Sequence, residues 1–393
     1  MVRHVVFLLL LLTLWGNSLN LKLPTRKPKM INCYFSVTAF TRLYNKMEPE
    51  QIPDNLCTHL SYAFFDISRD GALTLDTLND VHVGKKWIER VIAVRNRNPK
   101  LKVIAAVGGE YFKERPQIYM NMLASKEKRD LFIDSTIRFL EHYEFDGLDL
   151  CWIGSGEEGD VEAKKNLVIF VRELSKELSS RNFLFGISVS PIERNYDVRA
   201  ISRAVDYINV LTFNFGDPHR TSFAAPLYGQ GIMNVNASMS FWMDNCAPSL
   251  KLNMGVSFHS WDLVLEDERY NKPGSQAMKL LGERSYYNYC QELVRVKPIF
   301  DKTTGGTYFT EGRKWTSYES AQSLEAKYDY LLSQFMGGVA IYSLDADDFH
   351  PRCGEAFHLT EYTQRKLGGE YISSGGISCH LNDENRETCH KEY

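Results

Sequence analysis

The sequence of 393 residues has little excess charge of either sign, and no long hydrophobic run follows its first residues. Its 46 basic and 49 acidic residues are intermixed and leave a net charge of -3. Such a chain offers no basic stripe for nucleic acid and no polybasic patch for anionic lipid. A transmembrane helix needs roughly 20 consecutive apolar residues, and no segment reaches that length. These shortages argue against a nucleic-acid-binding protein and against a membrane-spanning one.

The N-terminus carries the one marked apolar run. Arg3 and His4 precede the stretch from Val5 to Trp15, and small or polar residues follow around residues 16–20. A basic start, an apolar centre shorter than a membrane span and a small-residue end are typical of a secretory signal peptide. We therefore predict a signal peptide over residues 1–20, a flexible leader over residues 21–29, and a secreted, extracellular protein.

Eight cysteines are present. Because disulfides persist outside the cytosol, secretion makes pairing the expected state. The predicted pairs are Cys33 with Cys57, Cys290 with Cys353, and Cys379 with Cys389. The first two pairs would join separated strands, and the third would close a small loop in the C-terminal tail. Cys151 and Cys246 are left over, and we predict that both are buried thiols that act as small hydrophobes.

The tail and one sequon add two further expectations. The pairs Cys379-His380 and Cys389-His390 are of a type that binds zinc, but oxidation competes for the same thiols. We therefore prefer the disulfide and predict no metal and no cofactor. Asn236 begins the one N-glycosylation sequon downstream of the signal peptide, and its use would fit a secreted protein.

Eight apolar runs of strand length recur along the chain, with helical patterns between them. The runs are Met30 to Phe35, His59 to Ile67, Lys102 to Val107, Gly147 to Trp152, Leu184 to Ser190, Tyr207 to Phe213, Leu252 to Ser257 and Val339 to Ser343. Between Val161 and Leu178, apolar residues recur at spacings of three and four, which is typical of an amphipathic helix. Alternating strands and helices predict an α/β protein with a parallel sheet. Eight repeats favour a closed (β/α)8 TIM barrel.

The barrel domain is predicted to span residues 30–367, with one insertion and a separate tail. About residues 261–335, between the last two strands, are too many for a simple crossover and predict a small inserted α+β subdomain. Residues 368–393 begin rich in Gly and Ser and are predicted to be a linker and a short cysteine loop.

The fourth run carries the most informative pattern. Side chains of a strand alternate between two faces, so Gly147, Asp149, Cys151 and Ile153 share the face toward the barrel lumen. The residues between them are apolar and belong to the opposite, core-facing side. Of the lumen positions that would suit a carboxylate, only Asp149 has one, because a thiol is a weak hydrogen-bonding group and Ile153 cannot exchange a proton.

Five segments together resemble a known family. They are Cys33-Tyr34-Phe35, the stretch from Cys57 to Phe64, Val107-Gly108-Gly109, the stretch from Tyr143 to Asp149, and Gly337-Gly338-Val339-Ala340 followed by Asp345 to Phe349. In this order they resemble glycoside hydrolase family 18, the chitinases and chitinase-like proteins. The resemblance runs from about Cys33 to Leu367. It implies the barrel fold and a chitin-type cleft at the carboxyl ends of the strands.

The resemblance also implies that the catalytic groups are missing. Members of the family that cleave chitin carry Asp-Gly-x-Asp-x-Asp-x-Glu, in which the Glu protonates the glycosidic oxygen and the preceding Asp orients the substrate's own N-acetyl nucleophile. That acid falls on Ile153 and the orienting Asp on Cys151, so only Asp146 and Asp149 remain. General acid help is worth about 10² to 10⁴ in rate. We therefore predict no catalytic residues and no hydrolase activity.

The cleft departs from the family pattern in other places as well. Where the family has Met-Thr-Tyr-Asp, this chain has Leu211-Thr212-Phe213-Asn214. The family's Trp on which the central sugar stacks is replaced by Tyr342. Two other family Trp residues, one after the Gly-Gly pair and one near the end of the first strand, are replaced by Glu110 and Thr38. Aromatic faces and fixed donors hold a sugar in a cleft, and several are lost here. The ligand-binding candidates are Asp149, Phe213, Asn214, His259 and Tyr342.

Some candidates have structural alternatives. We expect Asp149 to hold local strand geometry through backbone hydrogen bonds rather than to bind a ligand. Phe213 and Tyr342 suit equally well the floor of a carbohydrate subsite and the filling of the barrel mouth.

Four further polar or aromatic positions lie near the predicted cleft. Glu157 and Glu158 follow the fourth strand as candidates for displaced acids, but their glycine-rich loop is poorly suited to hold a carboxyl within about 3 Å of a reacting oxygen. His259 and Trp261 are expected to line the cleft.

Three functions remain open. The first is a secreted, non-catalytic chitinase-like protein that acts in signalling, growth or defence through another surface, with an unknown protein receptor as partner. The second is a lectin for chitooligosaccharides or cell-surface glycans, and the third is a chitinase with rearranged catalytic groups. The missing acid argues against the third, and the lost stacking residues weaken the second, so we rank them in this order.

Overall fold

The computed structural model describes residues 28–75, 81–154, 160–368, 377–381 and 387–391. Residues 29–368 form one compact unit, and the described tail residues belong to a second unit. The predicted signal peptide and all but the last two residues of the predicted leader lie outside the described residues.

Strands of the described residues form a closed barrel and two smaller sheets. In chain order the strands are β1 (Met30–Ser36), β2 (His59–Ile67), β3 (Leu73–Thr74), β4 (Lys102–Gly108), β5 (Gly147–Trp152), β6 (Leu184–Val189), β7 (Tyr207–Val210), β8 (Leu252–Ser257), β9 (Trp261–Leu265), β10 (Ala277–Gly282), β11 (Ile299–Asp301), β12 (Gly306–Glu311), β13 (Lys314–Tyr318), β14 (Gly338–Tyr342), β15 (Ile377–Leu381) and β16 (Glu387–Lys391).

The barrel order is β1, β2, β4, β5, β6, β7, β8 and β14, and β14 pairs back onto β1. Every pairing around it is parallel. All eight predicted runs are strands of this barrel, so the predicted (β/α)8 fold is confirmed. The largest difference is in β7, which ends at Val210 rather than at Phe213.

Helices alternate with the barrel strands along the chain. They are α1 (Val81–Ile92), α2 (Glu110–Glu114), α3 (Pro116–Ala124), α4 (Lys126–Tyr143), α5 (Val161–Ser179), α6 (Val198–Ala204), α7 (Val235–Asp244), α8 (Tyr286–Tyr289), α9 (Ala321–Ser333) and α10 (His358–Leu367). One of them, α8, lies in the stretch between β10 and β11. The helix α5 matches its predicted pattern and begins where the Asp160 carboxylate accepts a hydrogen bond from the Ala163 amide. No helix of the described residues combines the length and the apolarity that crossing a bilayer requires.

The side chains of β5 point alternately to the core and to the lumen, as the sequence pattern predicts. Leu148, Leu150 and Trp152 are at most 1% exposed. The Trp152 ring packs against the rings of Phe112 in α2 and Phe170 in α5, with centroid distances of 4.9 and 6.3 Å. Burying each such side chain is worth about 1.5–3 kcal/mol, and this burial directs the other face of the strand toward the lumen.

The stretch between β8 and β14 contains an antiparallel sheet of five strands, in the order β10, β9, β13, β12 and β11. Its own apolar cluster is built from buried side chains on these strands and one preceding loop, namely Phe223, Leu263, Leu265, Tyr308 and Trp315. This sheet is the predicted α+β insertion, and α9 leads the chain from it back to the barrel.

Two of the predicted disulfides are formed. Cys33 in β1 is joined to Cys57, directly before β2, and Cys290 is joined to Cys353. In the tail, β15 and β16 pair in antiparallel register with Cys379 opposite Cys389. A disulfide between the two tail cysteines stays a prediction.

The predicted sequon lies on α7. Asn236 is partly exposed in the first turn, whereas Ser238 is buried and its hydroxyl donates to the backbone oxygen of Asn234 at 3.0 Å. Glycosylation of Asn236 stays a prediction.

The two unpaired thiols differ in exposure. Cys151 is buried as predicted, but Cys246 is exposed, so the prediction for Cys246 was wrong. Cys246 follows the end of α7 with a left-handed φ of 73°, in the turn that leaves the helix. The turn directs its thiol outward, where the Arg199 guanidinium donates to the sulfur at 3.2 Å.

This difference predicts selective labelling of the folded protein. A water-soluble maleimide at neutral pH is expected to modify Cys246 and to spare Cys151, because Cys151 is 1% exposed and burial raises the pKa of its thiol. Intact mass and peptide mapping measure the adduct. Cys246→Ser is the control, and its Cys151 peptide should carry no label until the protein is unfolded. Labelling of Cys151 in the folded variant would show that this thiol is accessible from the mouth of the barrel.

Candidate functional site

A cavity of about 600 Å³ lies at the carboxyl ends of the barrel strands, and we call it the mouth cavity. It is lined by Tyr34, Phe64, Gly109, Glu110, Phe112, Lys113, Pro116, Cys151, Ile153, Ser190, Pro191, Ile192, Leu211, Phe213, Asn214, His259, Glu283 and Tyr342. Barrels of this kind carry their functional groups at this end, on the strand termini and the loops that follow them. The mouth cavity is therefore the candidate site.

The floor of the mouth cavity rests on a buried polar network around Asp149. The Asp149 carboxylate accepts hydrogen bonds from the Tyr34 hydroxyl at 2.5 Å, from the Ser188 hydroxyl at 2.8 and 2.9 Å, and from the Asn209 amide at 3.4 Å. The Asn209 oxygen in turn accepts from the Asn253 amide at 2.9 Å. Burial raises the pKa of Asp149 to about 6, although the three donors oppose the rise.

These contacts change the expected role of Asp149. Its partners are side chains from β1, β6 and β7 rather than the backbone of its own strand. The reason is that its side chain projects into the lumen, where side chains from several strands converge. Asp149 is fully buried and does not line the mouth cavity, whereas Tyr34 lines the cavity and donates a hydrogen bond to Asp149.

At the exit of β5 the mouth cavity meets Cys151 and then Ile153. Burial raises the pKa of the Cys151 thiol well above its usual range, so the thiol stays protonated at neutral pH. Ile153 offers only hydrocarbon. Leu211 and Phe213, after β7, continue this apolar surface.

An aromatic wall faces this exit, and Tyr342 is its centre. The Tyr342 ring is stacked near Phe213 at a centroid distance of 5.7 Å and near Phe64 at 6.4 Å, and His259 lies at 5.5 Å. The structure therefore brings together four predicted ligand candidates, since Asn214 also lines the mouth cavity. Their role in binding stays a prediction.

Asp146 lies at the other end of β5, away from the mouth cavity. Its carboxylate accepts from the Arg95 guanidinium at 2.9 Å, from the Lys102 ammonium at 3.1 Å and from the Val103 amide at 2.9 Å. These bonds tie the start of β5 to β4 and to the 3-10 turn Ala93–Asn96 that follows α1. Asp146 therefore has a structural role.

The rim contains charged residues that no sequence pattern groups together. Glu110 and Lys113 follow β4 and form an ion pair at 3.0 Å. Glu283 comes from the insertion, directly after β10, and interacts with the Asn214 side chain. Burial raises the pKa of Glu283. Glu110 had a signal in the sequence, because it stands where the family has a Trp, but no pattern links Glu283 to residues so far away in the chain.

Two other expectations concern the edge of the site. Trp261 is not among the residues that line the mouth cavity; it packs over Gly216 and against the apolar cluster of the insertion, so the expectation that it lines the cleft was wrong. It is the first residue of β9, and its ring turns toward that sheet's core. Glu157 and Glu158 lie outside the described residues.

Comparisons with known proteins agree with this architecture. The solved structure of a group IV chitinase from Ostrinia furnacalis has a TM-score of 0.80 and 29% identity, and the match covers 86% of this chain and 99% of that chain. Human YKL-39, described as a pseudo-chitinase with retained chitooligosaccharide binding properties, has a TM-score of 0.78 and 26% identity, covering 86% of this chain and 100% of that chain.

The sequence comparisons lead to the same group of proteins. Probable chitinase 10 of Drosophila melanogaster is 30% identical over 378 residues, which are 86% of this chain and 16% of that much longer relative. The model of glycosyl hydrolases family 18 matches residues 30–347. Together with the closed barrel and the mouth cavity at its carboxyl end, this match shows that the chain is a chitinase-like member of glycosyl hydrolases family 18.

Proposed function

We propose that this protein is a secreted chitinase-like protein that does not hydrolyse chitin and whose mouth cavity binds chitin-type sugars weakly or not at all. The observation that carries the proposal is the apolar exit of β5, where Cys151 and Ile153 face the mouth cavity. The family resemblance puts the proton donor and the substrate-orienting carboxylate at these two positions. A protonated thiol and a hydrocarbon side chain perform neither task.

The remaining carboxyl of β5 does not replace them. Asp149 lies beneath the floor of the mouth cavity and is engaged by Tyr34, Ser188 and Asn209. A general acid must come within hydrogen-bond reach of the oxygen that it protonates. Asp149 is fully buried and does not line the mouth cavity, which argues against such contact.

Secretion and a role outside catalysis belong to the same proposal. Two disulfides stabilise the barrel unit, which fits an oxidising compartment. A protein that keeps the fold without the chemistry acts through recognition, and signalling, growth support or defence through another surface is the role that we propose.

A lectin is the second candidate. Human YKL-39 is described as a pseudo-chitinase that retains chitooligosaccharide binding. The mouth cavity is of a size typical for small-ligand sites, and the stacked rings of Phe213 and Tyr342 retain an aromatic face in it. These observations favour residual binding of sugars in the mouth cavity.

The first test is hydrolysis and binding of N-acetylglucosamine oligomers. The purified protein is expected to release no product above a matched blank, with an active chitinase as positive control. Calorimetry with the same oligomers should give a dissociation constant weaker than micromolar. Turnover that disappears when the protein is heat-denatured would contradict the proposal, and a micromolar or tighter constant without turnover would put the lectin first.

Restoring the two lost groups together is expected to recover little activity. The variant Cys151→Asp with Ile153→Glu places two carboxyls beside Leu211 and Phe213, and Phe213, Asn214 and Tyr342 still depart from the family pattern. Catalytic groups that act together restore activity only when the whole set is present, and here part of the set is still missing. Product release by the double variant is measured against the parent and against each single variant. Substantial rescue would show that the rest of the cleft is complete.

A further inference from the structure

The mouth cavity has an apolar base. Phe112, Ile153, Ile192, Leu211 and Phe213 all line it. Ile192 remains 42% exposed although it is a large aliphatic residue. Apolar surface that faces a cavity of this size favours a ligand with an apolar body.

Sugar hydroxyls are poor partners for this base. Each hydroxyl taken from water and left without a hydrogen bond costs about 1–3 kcal/mol. Ile153, Leu211 and Phe213 supply no donor and no acceptor to offset that cost. The apolar base therefore disfavours sugars, which are the ligands that the family resemblance implies.

The rim of the mouth cavity is acidic. Glu110 is paired with Lys113 at 3.0 Å, so their charges offset each other. The Glu283 side chain is partly exposed to solvent and partly surrounded by protein. It interacts with the neutral side chain of Asn214. No ion pair joins it to a basic residue among the described residues. Burial raises its pKa, and the two nearest charges act in opposite directions, since Lys113 lowers the pKa and Glu110 raises it.

Aromatic faces stand beside this acidic rim. Phe64 and Phe213 both stack near Tyr342, at centroid distances of 6.4 and 5.7 Å, and all three rings line the mouth cavity. The face of an aromatic ring attracts a cation, with about 0.5–2 kcal/mol per favourable contact. A carboxylate and several ring faces at one mouth form a site for a positively charged nitrogen.

We propose that the mouth cavity binds an organic ammonium compound, with its apolar body in the base and its protonated nitrogen between Glu283 and the ring of Tyr342. The inference rests on the proposed function in one respect, namely that the mouth cavity binds a ligand and does not cleave chitin. An anionic ligand is disfavoured, because Glu283 would repel it and Lys113 is already engaged by Glu110.

The test compares three probes that share one apolar body and differ in the head group. They are 4-phenylbutylamine, 4-phenylbutan-1-ol and 4-phenylbutanoate, titrated by calorimetry into the full-length protein at pH 7. The amine is expected to bind at least about tenfold more tightly than the alcohol, and the carboxylate more weakly than the alcohol. Equal affinities for amine and alcohol, or no binding of the amine, would overturn the inference.

Variants locate the binding site. Glu283→Gln keeps the shape of the side chain and should abolish the preference for the amine over the alcohol. Glu268→Gln is the matched control, since Glu268 is also exposed on the insertion but does not line the mouth cavity; it should keep the preference. Ile192→Ser should weaken the binding of the amine and of the alcohol by the same factor. An unchanged preference in Glu283→Gln would place the amine elsewhere and overturn the assignment.

The outcomes separate this inference from the proposed function. Hydrolysis of N-acetylglucosamine oligomers would contradict the proposed function whatever the amine does. Failure of the amine to bind, in a protein that also does not hydrolyse the oligomers, would remove only the ammonium site.

Discussion

Asp149→Asn is expected to raise the free energy of unfolding at pH 7 by about 1–3 kcal/mol. The carboxyl is fully buried, and burial raises its pKa to about 6, above the 3.8 of the unfolded chain. Ionised Asp149 therefore costs stability at neutral pH, and this cost disappears as the pH falls. Asparagine keeps an acceptor for Tyr34 and a donor toward the Ser188 hydroxyl without the charge.

The sign of the pH dependence makes this prediction specific. A carboxyl with a raised pKa in the folded state stabilises the protein fully below the unfolded pKa, and this contribution is lost as the pH rises through about 6. The advantage of Asp149→Asn should thus be largest above pH 6 and should vanish below about pH 4. Urea unfolding followed by tryptophan fluorescence at several pH values measures it. Other groups, such as His59, contribute equally to both proteins and cancel in the difference.

Asp146→Asn is the matched control for this measurement. Asp146 belongs to the same strand, but its carboxylate is paired with Arg95 and Lys102. Removing the charge of Asp146 should therefore not stabilise the protein at any pH. If Asp149→Asn lowers stability at pH 7 as much as Asp146→Asn does, the hydrogen bonds from Tyr34, Ser188 and Asn209 outweigh the cost of burying the carboxylate, and the prediction is wrong.

Lys327→Met is expected to lower the free energy of unfolding by about 3–5 kcal/mol. Lys327 in α9 is 1% exposed and forms an ion pair with Glu319, which is 4% exposed and follows β13. Burial lowers the pKa of Lys327, and Glu319 opposes this shift. With the ammonium gone, the Glu319 carboxylate would keep one side-chain donor among the described residues, the Ser323 hydroxyl at 2.7 Å. One neutral donor does not compensate a buried charge.

The double variant separates the charge from the packing. Lys327→Met with Glu319→Gln removes both charges and should recover most of the lost stability, because replacing a whole buried pair is often close to neutral. Chemical unfolding of the parent, both single variants and the double variant forms a thermodynamic cycle. A double variant as unstable as Lys327→Met would show that the methylene packing of Lys327 matters and the ion pair does not. If Lys327→Met is insoluble, recovery of folded protein in the double variant decides the same question.

The location of this pair links the insertion to the candidate site. Glu319 lines a small cavity together with Phe213, Asn214 and His259, which also line the mouth cavity. The insertion therefore supplies Glu283 to the rim and, through Glu319, supports the residues after β7 and β8. Loss of the ion pair should weaken ligand binding as well as stability.

The barrel could be predicted because its signals are local. A run of strand length that is mostly buried and aliphatic, such as Lys102–Gly108, indicates a strand from its own residues. Eight such runs with helical patterns between them leave few topologies, since parallel strands need crossovers. The expected secretion and the cysteine positions added the disulfides Cys33–Cys57 and Cys290–Cys353 to the framework that the apolar pattern indicated.

The contacts inside the site could not be predicted in the same way. The sequence showed that Asp149 faces the lumen, but its partners Tyr34, Ser188 and Asn209 come from three other strands. The exposure of Cys246 depends on one turn with a left-handed residue, and the direction of Trp261 depends on the core of the inserted sheet. The partners of Asp149 and the direction of Trp261 are decided by neighbours that are distant in the chain, whereas the exposure of Cys246 is decided by the backbone conformation of a short turn.

The sequence by itself determined the barrel, the faces of β5 and the side chains that stand at its exit, because strand alternation depends only on the order of residues along one segment. Only the tertiary structure decided that Asp149 is enclosed beneath Tyr34, that Phe64, Phe213 and Tyr342 form one wall, and that Glu283 stands beside Asn214 at the rim. The physical reason is that closing the barrel brings the ends of all eight strands, and the insertion that follows β8, to a single mouth.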